Sequence, residues 1–140
     1  MAYVTDDPLV PWPVIDDDAR CPCLSGSPFA ACCAPFHRGI STAPTAERLM
    51  RSRYSAFVVG DEAYVLATWH PSTRPATVGL DPAHRFYRLD ILGRTGGGLL
   101  EHTGTVEFEA RFRLNGRAGS QRENSRFVKQ NQKWFYLDGL

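Results

Sequence analysis

Apolar residues recur along this chain with two different periods, and the change falls near residue 84. Between residues 45 and 59 the period is helical: Ala46, Leu49, Met50 and Phe57 share one face, with Tyr54 at its edge. Arg48, Arg51, Ser52 and Ser55 are expected on the opposite face. Thr45 can cap the helix, Glu47 suits the positive end of its dipole, and Gly60 stops it. A second, shorter helix starts at Asp61, turns Tyr64, Val65, Thr68 and Trp69 inward, and ends at Pro71. His70, just before that proline, is driven to an extended conformation. The run Trp-His-Pro-Ser-Thr-Arg-Pro over 69–75 therefore reads as a rigid loop. From His84 the period is two. Tyr87, Leu89 and Ile91 alternate in a first strand, and Gly93 to Gly98 is a flexible turn. Val106, Phe108, Ala110, Phe112 and Leu114 line one face of the next strand, with Glu107, Glu109, Arg111 and Arg113 on the other. Asn115-Gly116 begins a turn. A third strand is expected over 123–129 and a fourth over 133–138, joined through residues 130–132.

Helices followed by an antiparallel sheet predict an α+β domain, with the helices packed on the apolar face of a curved sheet. The cone between the layers is a natural place for a small-molecule pocket. Arg53, Tyr54, Trp69, His70, Glu123, Ser125 and Trp134 are its candidate lining residues. Arg53 is unusual, because about 100° of rotation per residue sets it between Ala46, Met50 and Phe57 on the apolar face. A guanidinium there needs partners. It is either a strut ion-paired across the core or an anion anchor at the floor of a pocket. His70 is either a packed, satisfied loop residue or an acid/base group.

Residues 1–20 are rich in Pro and Asp and show no period, so they predict an extended arm, with Trp12 and Val14 as candidate anchors. A length of 140 residues fits one domain with a small appendage, and 43% hydrophobic with 22% charged residues is ordinary for a soluble globular chain. The formal net charge of +1 gives no electrostatic case for nucleic acid or an anionic membrane. No apolar run approaches the length that crosses a bilayer. The opening residues lack the basic stretch and apolar core of a secretory signal, which together with clustered cysteines gives the cytoplasm as the expected compartment.

All four cysteines fall in residues 21–33, as Cys21-x-Cys23, eight residues, then Cys32-Cys33. Bridges between such close neighbours would strain disulfide geometry. Four thiolates gathered by one short loop suit a tetrahedral zinc ion, with an iron–sulfur cluster or redox thiols as the alternatives. Ser25, Gly26, Ser27 and Pro28 can reverse the chain between the two pairs, and Phe29 to Ala31 can start a helical turn that presents the second. A closed four-sulfur site has no position for water or substrate, so the zinc is expected to be structural. His37 is either a substitute ligand or a residue that packs behind the ligands.

The cysteine pattern Cys-Pro-Cys-x-Ser-Gly followed by Cys-Cys resembles the SEC-C motif, also found at the C-terminus of the preprotein translocase motor ATPase. With APTAERLMRSRYSAF, ATWHPSTRP and ENSRFV in order behind it, the chain resembles the YchJ family of small bacterial proteins from Cys21 to its end. The resemblance implies a zinc module over 21–39 with Cys21, Cys23, Cys32 and Cys33 as ligands. It also implies a nuclear transport factor 2-like (cystatin-like) domain over 40–140, behind the arm at 1–20. Leu24 and Ala34 stand where the motif normally has glycine, so the loop is expected to be strained or to take a variant path. Phe86 replaces a tryptophan frequent in the family. The resemblance carries no biochemical activity with it. Two expectations follow: a binding or accessory protein that docks a protein partner through its zinc module, or a small-molecule binder or enzyme using the cone, with His70 as acid or base and Arg53 holding an anion. Nucleic-acid binding is disfavoured by the charge balance and the lack of an aromatic RNA-binding motif. The face of Glu107, Glu109, Arg111 and Arg113 is a candidate homodimer contact.

Overall fold

A computed structural model describes residues 11–140. The arm at 1–10 lies outside the described residues. Four strands, β1 (His84–Gly96), β2 (Thr103–Leu114), β3 (Arg117–Gln130) and β4 (Lys133–Gly139), form one antiparallel sheet in chain order. Helices α2 (Ala46–Val59) and α3 (Glu62–Ala67) pack on one face of it, and a short helix α1 (Ala34–His37) leads in from the cysteine loop. Thr45 Oγ1 accepts from the Arg48 N–H at 3.1 Å, and Gly60 closes α2 at φ 78°. Asp61 Oδ1 accepts from the Tyr64 N–H at 3.1 Å and caps α3. The fold is the expected α+β one, helices on a curved antiparallel sheet.

The strands run further than the expected ones. β1 continues through the glycine run to Gly96, so the connection to β2 lies at residues 97–102. β3 begins at Arg117, directly after a two-residue turn in which Asn115 and Gly116 both have positive φ. Asn131 and Gln132, also at positive φ, make the turn to β4.

One expectation about β1 is reversed. Phe86 pairs with Phe112 but Arg88 pairs with Arg111, so Tyr87 is an extra residue in a β-bulge. A one-residue slip changes which side chains face the core. Tyr87 is thereby turned outward, and Phe86, Leu89 and Ile91 face the helices along with His84. Further register shifts at Ile91/Gly93 and Arg126/Phe127 give the sheet more bends of the kind that increase curvature.

Helix α2 is buried on both sides. Leu49, Met50 and Tyr54 meet the sheet, as expected, but Ser52 and Ser55 are fully buried too, with Ala56 beside them. Their face lies under the cysteine loop rather than in water. Small side chains allow this close approach, and Ser52 Oγ is satisfied by donating to the Leu49 carbonyl at 2.8 Å. At its start α2 is tied to the sheet through the Ala46 N–H, which donates to the Gly97 carbonyl at 3.0 Å.

That tie needs a bare backbone opposite. A Cβ on Gly104 would stand 2.5 Å from Gly97 Cα and 2.6 Å from Gly97 N, both main-chain atoms with nowhere to go. Gly104→Ala is expected to destabilise the fold by about 1–3 kcal/mol through this overpacking, read as a lower urea midpoint at unchanged slope. An unchanged midpoint would show that the hairpin end is not tightly seated.

Candidate metal centre

The cysteine loop is a small closed ribbon. The Cys21 N–H donates to the Ser27 carbonyl at 2.9 Å, the Leu24 N–H to the Cys21 carbonyl at 3.1 Å, and Arg20 pairs with Pro28. Phe29–Ala31 then forms a single 3₁₀ turn, and α1 starts directly after Cys33. All four thiols are free and buried, and their Sγ atoms lie within 4.8 Å of one another. Cys23 and Cys32 sulfurs are 3.6 Å apart, Cys32 and Cys33 sulfurs 3.9 Å. A tetrahedron of zinc–sulfur bonds has edges of about 3.8 Å. The separation is far beyond a disulfide bond and suits four ligands of one metal ion. Without a cation the thiols must share protons. Hydrogen bonds from Cys21 and Cys33 pull Cys23 down, while bonding to Cys23 pushes Cys21 up to about 11 and bonding to Cys21 also raises Cys33. One cation among the sulfurs would remove that conflict.

Groups behind the sulfurs orient them. Ser25 Oγ, accepting from the Ser27 N–H, is free to donate to Cys32 Sγ at 3.1 Å. Ser55 Oγ on α2 lies 3.6 Å from Cys21 Sγ. Arg51 donates to the Cys23 carbonyl at 2.8 Å and to Glu47 at 3.0 Å, and Glu47 also pairs with Arg94 of β1 at 2.6 Å. The loop, helix and sheet are thus linked by one polar chain. His37 points away from the sulfurs. Its Nε2 donates to the Ser52 carbonyl at 2.8 Å, and its ring packs between Phe29 and Tyr64. Burial lowers its pKa, and it is the hydrogen bond to Ser52 and the packing between two aromatic rings that make it a packing residue behind the loop.

The two glycine replacements behave differently. Leu24 sits at φ 63°, in the left-handed region, whereas Ala34 is the first residue of α1 and is fully buried in ordinary helical backbone.

The candidate pocket residues are dispersed. Arg53 is 4% exposed and has no carboxylate at ion-pair distance among the described residues. Instead Nη1 donates to the Val65 carbonyl at 2.7 Å and to Thr68 Oγ1 at 2.8 Å, so it caps the end of α3. Its guanidinium lies 5.2 Å from the Trp69 ring and 4.6 Å from that of Tyr136. Burial brings its pKa down to about 10, which leaves it charged at neutral pH. The strut role therefore holds without the ion pair: the carbonyls of a helix end and two aromatic faces replace the expected carboxylate. His70 accepts the Ser72 N–H at Nδ1, 3.1 Å, and Nε2 lies 2.7 Å from Gln130 Oε1. Both ring nitrogens are engaged, Nδ1 within the 69–75 loop and Nε2 in holding that loop to β3. Glu123 accepts from Ser125 Oγ and from the Tyr136 hydroxyl, and Trp134 donates to the Pro44 carbonyl at 3.2 Å. Tyr54 lines a cavity between α2 and the sheet, and Trp134 lines a separate cleft. On the outer sheet face Arg122 pairs with Glu107 at 2.8 Å, Arg111 with Glu109 at 3.4 Å, and Arg113 lies over Tyr87.

A cleft not foreseen in the sequence lies beside the metal centre. It has a volume of about 400 Å³ and is lined by Phe36, His37 and Ala43 from the segment after the cysteine loop and by Tyr64, Trp134 and Phe135 from α3 and β4. The first of these groups follows directly on Cys33, so the cysteine loop fixes its position. Exposed Ile40 belongs to the same segment. The tertiary meeting of α1, α3 and β4 leaves no periodic trace, which is why the pattern of apolar residues did not reveal it.

Residues 45–139 match the family described as YchJ, middle NTF2-like domain. A UPF0225 protein of Corynebacterium glutamicum is 52% identical over 120 residues, which are 86% of this chain and 95% of that protein. A UPF0225 protein of Streptomyces coelicolor is 50% identical over 119 residues, 85% of this chain and 93% of that one. The solution structure of a SEC-C motif containing protein from Rhodopseudomonas palustris superposes with a TM-score of 0.77 at 35% identity, covering 86% of this chain and 97% of the other. The crystal structure of a SEC-C motif containing protein from Psychrobacter arcticus gives 0.73 at 28%, covering 87% and 82%.

Leu24 gives a direct test of the loop geometry. A leucine in the left-handed region costs about 1–2 kcal/mol, partly offset in a glycine variant by greater freedom of the unfolded chain. Leu24 is half-exposed and loses little packing. Leu24→Gly is therefore expected to stabilise the protein by about 0.5–1 kcal/mol in equilibrium unfolding. Destabilisation by that amount would contradict the left-handed assignment.

Proposed function

Because the chain belongs to the YchJ family of SEC-C motif proteins, we propose that it is a zinc-binding accessory protein whose metal is structural. Cys21, Cys23, Cys32 and Cys33 hold the ion, and the observation that carries the reading is that all four are buried with their sulfurs within 4.8 Å of one another, a spacing that one tetrahedral ion can bridge. Such a shell leaves no coordination site for substrate. The metal pins the 21–43 segment to α2, and through it the part of the cleft lining that this segment supplies. In this reading the cleft takes an apolar segment of a protein partner, with Ile40 as an exposed contact at its side. The protein works in the cytoplasm, where thiols stay reduced until metal occupies them. Among the described residues no helix is long and apolar enough to cross a membrane.

Binding is favoured over catalysis by the state of the candidate catalytic groups. Arg53 spends its charge on the end of α3, and both His70 nitrogens are engaged, so neither is free for a substrate.

Protein purified from zinc-replete, reducing medium is expected to contain about one zinc ion per chain, and a strong chelator is expected to lower its melting temperature. Ala63→Arg, which fills the cleft from the exposed side of α3, should keep the metal but abolish capture of a partner that the wild type retains. A metal-free protein with free thiols and unchanged melting would contradict the structural zinc. Retention of every partner by Ala63→Arg would contradict the cleft.

A further inference from the structure

The interior of the cone is not completely filled. Between α2 and the sheet lies a cavity of about 90 Å³ beside Tyr54, and next to it one of about 190 Å³ under Trp12 and Leu80. Phe57, Phe86 and Gln121 belong to the walls of both. Each cavity has one buried polar atom without a hydrogen-bond partner among the described residues: the Tyr54 hydroxyl in the inner one and His84 Nε2 in the outer. A buried polar group left unpaired costs about 1–3 kcal/mol, and native folds keep few of them. Trp69 Nε1 and Asn124 Oδ1 are the other two among the described residues, and neither lines these cavities; the two that do share adjoining walls with space in front of them for a partner.

Both groups are held rigidly. Tyr54 is 3% exposed, with its ring edge-on to Phe86 at 6.0 Å. Burial raises the pKa of its phenol, so it stays a neutral hydroxyl. The His84 ring stacks on Phe86 at 4.6 Å and meets the edge of Phe112 at 4.2 Å. Phe86 therefore stands between the two polar atoms, with Phe57 facing it at 6.2 Å. The inner cavity has no charged side chain in its wall. The outer has only Asp81, whose carboxylate accepts from the Ala83 N–H at 2.9 Å.

The N-terminal arm closes the outer end. Trp12 lies across Gly60 so closely that a Cβ there would stand 2.4 Å from the indole, and Arg85 holds the arm through the Pro11 carbonyl at 3.0 Å. Of the two candidate anchors in the arm, Trp12 is one, and Val14 at 90% exposure is not.

We propose that these cavities form a binding site for a small, uncharged molecule with a flat apolar body and a hydrogen-bonding group at each end. The body lies along Phe57 and Phe86, one end meets the Tyr54 hydroxyl, and the other meets His84 Nε2, with the Gln121 amide at the shared rim. Trp12 is the cover over the outer end. The site is separate from the cleft beside the metal centre, so the two stand or fall independently.

The test titrates the full-length, zinc-loaded chain with para-hydroxybenzamide, which carries a hydroxyl and an amide at opposite ends of one ring, and reads chemical shifts by NMR. Saturable shifts are expected at the Phe86 and Gln121 amides and the Trp12 indole N–H. Tyr54→Phe and His84→Phe, which keep the aromatic packing, should each weaken binding about fivefold, as loss of one hydrogen bond requires. Toluene, the same ring without polar ends, should bind more weakly than para-hydroxybenzamide, and Trp12→Ala should speed dissociation. The proposal is overturned if no saturable shift appears at these positions up to the solubility of the probe. It is overturned equally if wild type, Tyr54→Phe and His84→Phe bind alike, or if a crystal structure soaked in the probe shows only ordered water on Tyr54 and His84.

Discussion

Helix α2 has no face to give to water near its middle, and that constraint shapes the rest of the molecule. One side meets the sheet through Leu49, Met50 and Tyr54, and the other carries Ser52, Ser55 and Ala56 under the cysteine loop. A loop of this size has little apolar surface with which to hold itself down. Phe29 and Phe36 are the large buried side chains of the 21–37 segment, and the four cysteines and Ala34 are its other buried residues. Four thiols packed together without a cation compete for protons and bond one another poorly. In the proposed reading a metal ion converts them into a cross-link, and the burial of α2 depends on it. Arg51, Glu47 and Arg94 extend the same tie to the sheet.

The remaining buried charge is settled within the fold. Arg53 caps α3 from inside the core, adding a charged donor to the Val65 carbonyl at the helix end. The aromatic faces of Trp69 and Tyr136 complete its surroundings. His70 closes the neighbouring loop onto Gln130. Arg53 and His70 are thus taken up by contacts within the fold, while the Tyr54 hydroxyl and His84 Nε2 are, with Trp69 Nε1 and Asn124 Oδ1, the buried side-chain polar atoms left unpaired among the described residues.

Much of this was legible in the chain. Thr45, Gly60 and Asp61 cap or end their helices as local chemistry dictates, and the alternation from Val106 to Leu114 sets the inner face of β2. The clustering of four cysteines within one short loop was enough to expect a metal. What failed was whatever depends on a slip or on a meeting of distant segments. The bulge at Tyr87 turns His84 and Phe86 inward, whereas strict alternation from Tyr87 would turn them out. The adjacent aromatics Phe86 and Tyr87 were the available hint, since only one of them can face the core of a regular strand. Arg53 was recognisable as buried, but its partners were not, because a helix end offers carbonyls only after the helices have docked. Ser52 and Ser55 were read as a polar face, although small hydroxyl residues are also what a close packing surface requires.

The central claim is that four sulfurs share one metal ion and so fasten the cysteine loop to α2. X-ray absorption at the zinc K-edge on the purified, metal-loaded protein tests it most directly. The account predicts a first shell of four sulfur scatterers at about 2.3 Å with no nitrogen or oxygen neighbour. A shell containing nitrogen or oxygen would contradict it, since it would mean that His37 or water has displaced a cysteine and that the site is open.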